Sequence, residues 1–103
     1  MKEPTVFGRQ LRKAREKAGI SQRRLGIDVG FDEFSASPRM NQYERGTHTP
    51  DFETAKRLAT CLNVPVEYLY SEDELMADLI LEIGALTPEK QQELLRSLKE
   101  RQE

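Results

Sequence analysis

The chain has a single cysteine, Cys61, and a single histidine, His48, so it cannot close an internal disulfide or assemble a conventional cluster of metal ligands. No apolar run approaches the length of a membrane span, and no charged-then-apolar segment opens the chain, so no membrane is expected and a reducing cytoplasm is the expected setting. No nucleophile–base set and no phosphate-binding glycine loop occurs, so neither an enzyme nor a metal or other cofactor is expected. Alternating strand patterns joined by tight Gly turns are missing as well, which leaves an all-helical protein.

What is present fits that reading. The 103 residues make one modest core without staples, and 37% hydrophobic against 33% charged residues suits a helix-rich globule rather than a disordered tail. Net charge is −2, but its distribution is uneven. Residues 1–50 carry ten lysines and arginines against six acids, while residues 51–103 carry six against twelve. A phosphate backbone responds to the local field, so the basic half suits nucleic acid, and the acidic half is left for solvent or a second protein partner.

Apolar spacing and capping residues predict seven helices. The first covers 5–18, capped by Thr5, with Phe7, Leu11, Ala14 and Ala18 as its buried stripe and Gly19 as its stop. Ile20 is expected as a buried linker. Ser21 caps a second helix over 22–29 that buries Leu25 and Val29. Gly26 inside it costs about 1 kcal/mol against Ala, so something is expected to pack closely there. Asp51 caps a fourth helix over 52–62 with Phe52, Ala55, Leu58, Ala59 and Leu62 inward, and Cys61 reads as a small buried hydrophobe. A short fifth helix starts at Pro65. Ser71 with Glu74 forms a capping box for a sixth, ended by Gly84, and Thr87-Pro88 opens a seventh with Leu94, Leu95 and Leu98 on one stripe. The sixth is apolar on more than one face. It is read either as cover for the core, closed by the seventh, or as a homodimer surface built from Leu75, Leu79, Ile83, Leu94 and Leu98.

The third helix organises the rest. Ser35-Ala36-Ser37-Pro38 suits a first turn, Gly46 supplies a left-handed stop, and Met40 and Tyr43 face a core. Long polar side chains then fall on the outward faces. Arg39 has the geometry for a bidentate contact to guanine and Gln42 for one to adenine, each worth about 1–3 kcal/mol of discrimination. The helix over 35–45 therefore points to DNA recognition.

The runs Phe7–Gln22, Leu25–Gly30, Met40–Gly46 and Thr49–Leu69 together resemble the lambda-repressor and Cro-like, XRE-type helix-turn-helix family over residues 5–70. The resemblance implies a five-helix domain over 1–70, with 71–103 as a helical extension for dimerisation or core cover. It implies that Arg15 braces Glu44, and that Ser37, Pro38, Arg39 and Gln42 face the bases. Gln22, Arg23, Asn41, Arg45, Thr47 and His48 are then placed along the DNA backbone. The interval from Gly30 to Tyr43 is longer than the family pattern, and the extra residues fall in or beside 31–35, where Asp32 and Glu33 bring negative charge near the DNA.

The function so implied is a sequence-specific regulator of transcription, a repressor bound to double-stranded DNA as a homodimer, cytoplasmic and nucleoid-associated. Two alternatives stand beside it: an antitoxin-like DNA binder whose acidic tail holds a second protein, and an adaptor that has kept the fold and lost DNA.

Overall fold

The computed structural model describes residues 3–102. Lys2 and Glu103, counted above in the basic and acidic halves, lie outside the described residues. Among the described residues the chain is all-helical: α1 (Val6–Ala18), α2 (Gln22–Asp28), α3 (Ala36–Arg45), α4 (Phe52–Leu62), a 3-10 helix (Val66–Tyr70), α5 (Glu74–Gly84) and α6 (Pro88–Arg101).

Most of the expected caps are made. Thr5 Oγ1 accepts from the Gly8 N–H at 2.9 Å, Ser21 Oγ from Arg24 at 3.0 Å and Asp51 Oδ1 from Thr54 at 2.8 Å. Gly46 takes φ +81°, where an L side chain would be strained, and its N–H returns to the last turn of α3. Two caps differ. Ser35 stands at the N-cap of α3 but accepts nothing there; its own N–H and hydroxyl both donate to Asp32 Oδ1, at 2.7 and 2.5 Å. The cap of α5 is Asp73, whose Oδ2 accepts from Met76 at 3.1 Å, not Ser71. Ser71 closes the 3-10 helix instead, and its carbonyl is held by the buried Gln10 Nε2 at 2.8 Å, so it is committed to the turn before.

The core joins Phe7, Leu11, Leu25, Val29, Met40, Leu58, Leu62, Tyr68 and Leu69, with Ala14, Ala55, Ala59 and Ala77 filling the narrow spaces. Several expected core residues lie outside it. Ala18 is exposed in the last turn of α1, and Ile20 is half-buried at the edge of the core. Phe52 overhangs the core from the first turn of α4, with the Lys56 ammonium 5.7 Å from its ring centre. Cys61 is exposed, because the buried stripe of α4 runs through Leu58, Ala59 and Leu62 and leaves position 61 to one side. Partial desolvation, with Asp28 nearby, pushes the Cys61 thiol up and keeps it protonated. The fifth helix is a 3-10 helix that begins after Pro65.

The tail is held at one end. Lys13 Nζ meets Glu74 at 2.6 Å, Arg9 meets Glu74 at 3.5 Å and donates to the Glu72 carbonyl at 3.1 Å. Ala77 is the one buried residue of α5, while Ile80 and Leu81 pack against the core from half-buried positions. No residue of α6 is buried, so α6 does not close the outer face of α5. The result is a long molecule, 54 × 29 × 23 Å.

Gly26 is where the sequence places a close approach. A Cβ there would lie 2.7 Å from both the Cβ and the carbonyl oxygen of Ala36, so α2 and α3 touch through bare backbone. Gly26→Ala is expected to lower stability by about 1–3 kcal/mol through overpacking, against its gain in helix propensity. Chemical denaturation followed by circular dichroism checks this, and an unchanged or higher midpoint would contradict it.

Candidate nucleic-acid interface

The reading face of α3 follows from which of its sides is buried. Ala36, Met40 and Glu44 point into the protein. At about 100° per residue, Pro38, Gln42 and Arg45 then project on the opposite side. All three are exposed. Ser37 and Asn41 flank this row and are half-buried, Asn41 toward α2, where its Oδ1 accepts from Gln22 Nε2 at 3.3 Å. Arg39 and Tyr43 flank it on the other side, toward the α2–α3 connection.

One buried ion pair holds α3 at this angle. Arg15, at the end of α1, donates from Nε to Glu44 Oε2 at 2.5 Å and from Nη2 to Glu44 Oε1 at 3.1 Å. The two side chains are 13% and 3% exposed. The third guanidinium nitrogen donates to the Ile20 carbonyl at 3.0 Å, and Gln22 Nε2 donates to Glu44 Oε1 at 3.1 Å. Glu44 thus accepts from α1 and α2 at once, and the carboxylate pushes the Arg15 pKa above its ordinary value. Gly8 lets α1 come close enough for this: a Cβ there would lie 2.5 Å from the Glu44 carbonyl oxygen.

The long α2–α3 connection is a structured turn. Asp32 receives Ser35 as described, and its own carbonyl accepts from Ala36 at 3.0 Å. The two donors of Ser35 hold the Asp32 carboxyl below its ordinary pKa, and Arg39 adds to the effect. Glu33 lies 3.4 Å from Arg23. The negative charges expected to oppose DNA therefore sit beside cations. Phe31 packs against Tyr43 at 6.2 Å between ring centres, and the Arg39 guanidinium lies over the Phe31 ring, 4.9 Å from its centre. In the free protein Arg39 rests on this aromatic platform, one flank away from the row of Pro38 and Gln42.

The residues expected along the DNA backbone divide. Arg45 is exposed and makes no ion pair among the described residues, and His48 is exposed in the following loop. Thr47 donates its hydroxyl to the Gln42 carbonyl at 3.2 Å, closing the end of α3, and its N–H does the same at 3.1 Å. Arg23 is engaged with Glu33. Gln22 and Asn41 open onto a cleft that is also lined by Arg9, Arg12, Lys13 and Arg45. The cations of α1 were not singled out from the sequence; the signal was their position on the face away from the apolar stripe, which does not say what they meet. Of the dimer candidates, Leu75, Leu79, Ile83 and Leu98 are exposed and Leu94 is half-buried. Met76 and Leu95 join the exposed set.

Comparison with known proteins identifies the family to which this fold belongs. Residues 6–69 match the family described as helix-turn-helix domain. The chain is 33% identical over 69 residues to the HTH-type transcriptional regulator ImmR of Bacillus subtilis, covering 67% of this chain and 51% of that protein. It is 32% identical over 75 residues to the cryptic phage CTXphi transcriptional repressor RstR of Vibrio cholerae, covering 71% and 62%. The chain thus spans about half to three fifths of the length of these relatives. The crystal structure of the transcriptional regulator BswR superposes with a TM-score of 0.83 at 50% identity, over 90% of this chain and 92% of that one.

Truncating Arg15 to Ala would leave Glu44 buried without its cation. The expected loss is about 3–5 kcal/mol, the range for a buried pair broken on one side. Glu44→Gln, which keeps an acceptor for Gln22 and Arg15, is expected to lose less. Urea denaturation of the two variants measures both, and equal, small losses would remove the brace from this account.

Proposed function

Because the chain belongs to the XRE-type helix-turn-helix family, we propose that it regulates transcription as a repressor, binding specific double-stranded DNA with α3 in the major groove. The single observation that carries this reading is the row of Pro38, Gln42 and Arg45, held outward by the Arg15–Glu44–Gln22 brace. Gln42 reads adenine, and Pro38 has only an apolar ring to offer, which suits a thymine methyl. Ser37 reaches the bases from the flank. Arg39 leaves Phe31 to reach guanine, or stays and shapes the edge of the site. Asn41, Arg45 and His48 lie along the phosphates with Arg12 of α1, Gln22 turns to phosphate the amide hydrogen it gives Asn41 in the free protein, Thr47 offers its loop, and Arg23 meets phosphate while staying beside Glu33.

The protein acts as a homodimer on a two-fold site. Support comes from the apolar side chains left exposed on α5 and α6, chiefly Leu75, Leu79, Ile83 and Leu98, with Leu94 beside them. Two copies also double the phosphate contacts of a chain whose net charge is −2. No helix among the described residues is long and apolar enough to cross a membrane, and a cytoplasmic, nucleoid-associated regulator is the setting proposed. The family is one of regulators rather than enzymes. A second protein held by the acidic half is the competing reading of the tail.

Fluorescence anisotropy with DNA from upstream of its own gene, against scrambled duplex, tests the main reading. Affinity for the cognate duplex is expected to fall steeply with salt, and Gln42→Ala to cost about 1–3 kcal/mol and relax selectivity at one base pair. Absence of binding to any duplex at low salt would overturn it. For the tail, light scattering is expected to give twice the 11.9 kDa chain mass for the parent and a folded single-chain mass for Leu79→Asp with Ile83→Asp. A parent that is one chain in mass, or a stable complex with a different protein, would overturn the homodimer.

A further inference from the structure

We propose that Phe34 is a specificity-determining residue, its ring packing on the C5-methyl of a thymine at the edge of the site read by α3. The inference rests on the reading that α3 enters the major groove.

Phe34 is 83% exposed, the most exposed large apolar side chain among the described residues. It does not hang on a loose loop. The turn is tied by the Ser35 N–H and hydroxyl to Asp32 Oδ1, and by the Ala36 N–H to the Asp32 carbonyl at 3.0 Å. That last bond spans four residues, as in an α-helix, and Ser35 itself is helical at φ −100°, ψ −8°. The helical path therefore extends back through the turn. Phe34, four residues before Pro38 and eight before Gln42, continues their outward row by one turn.

The chemistry of that row is selective. Two positions of the four, Phe34 and Pro38, have no hydrogen-bonding side chain, so they are blind to every donor and acceptor on the base edges. The thymine methyl is the apolar group that the major groove displays. Glu33 and Asp32, which would repel phosphate beside such a contact, are held by Arg23 and by the two donors of Ser35. A ring on a pre-formed turn also loses little conformational freedom on binding.

The test selects duplexes from a random-sequence pool with the parent, Phe34→Ala and Phe34→Leu, then replaces each thymine of the parent's duplex by deoxyuridine, which lacks only the methyl. One thymine per half-site is expected at which methyl loss weakens the parent about fourfold, the worth of one buried carbon. Phe34→Ala is expected to bind both duplexes alike and to lose the preference at that position, and Phe34→Leu to keep part of it. The exposed ring contributes nothing to the core, so the variants should match the parent in thermal melting. If Phe34→Ala selects the same sequence and responds to every deoxyuridine as the parent does, the role of Phe34 fails while DNA reading stands. A uniform loss of affinity with no position singled out would also refute methyl reading. If the parent selects no sequence, both readings fall together.

Discussion

A carboxylate taken almost wholly out of water must find cations and donors, and Glu44 finds them on two other helices. Arg15 grips it with a planar fork, which fixes direction as well as distance. Gln22 donates a third bond, to the Oε1 that Arg15 Nη2 also reaches, and so links the start of α2 to the same carboxylate. Three helices thereby share one point, and that point lies on the buried side of α3. Everything the outer side of α3 presents is aimed by it. Close approach through Gly8 and Gly26 makes the same junction possible, since a methyl at either position would push α1 or α2 away from α3.

Around this junction the protein mixes rigid placement with a measured polarity. The basic half lines a cleft between α1, the start of α2 and the end of α3, while the acidic α5 is anchored across α1 through Lys13 and Arg9. Those two cations are partly neutralised by the tail, so the free positive charge near α3 is smaller than the composition of the first half suggests. The acidic connection before α3 is likewise balanced by Arg23 and Arg39. Local pairing, rather than the net charge of the chain, sets the field that a phosphate backbone would meet.

The tail follows a different logic. Its helices are well capped and well patterned, but α5 buries a single residue and α6 none, so their apolar stripes are not consumed within the chain. A stripe of that kind is costly to leave in water. The same pattern that would bury a helix inside a larger domain here leaves Leu75, Leu79, Ile83 and Leu98 facing outward. Patterning reports that a face is apolar; it does not report which surface covers it.

The helices, most of their caps, the Gly46 stop and the crowding at Gly26 were legible in the residues, because each depends on neighbours within about one helical turn of the chain. The family pattern added the pairing of Arg15 with Glu44. Other features turned on small displacements or on contacts between distant residues. Cys61 left the core because it stands to one side of the buried stripe of α4, Phe52 because it overhangs the core from the first turn, and the α5 cap moved to Asp73 because Gln10, sixty-one residues before Ser71, holds the Ser71 carbonyl. Arg39 lies on Phe31 rather than among the outward residues, and the turn at Asp32 carries the helical path back to Phe34. By itself the sequence determined an all-helical chain and the residue types on each helix face, since periodicity and capping are local. Tertiary structure decided which polar groups are spent on one another and which remain outward, since those pairings depend on distances between helices that no local pattern contains.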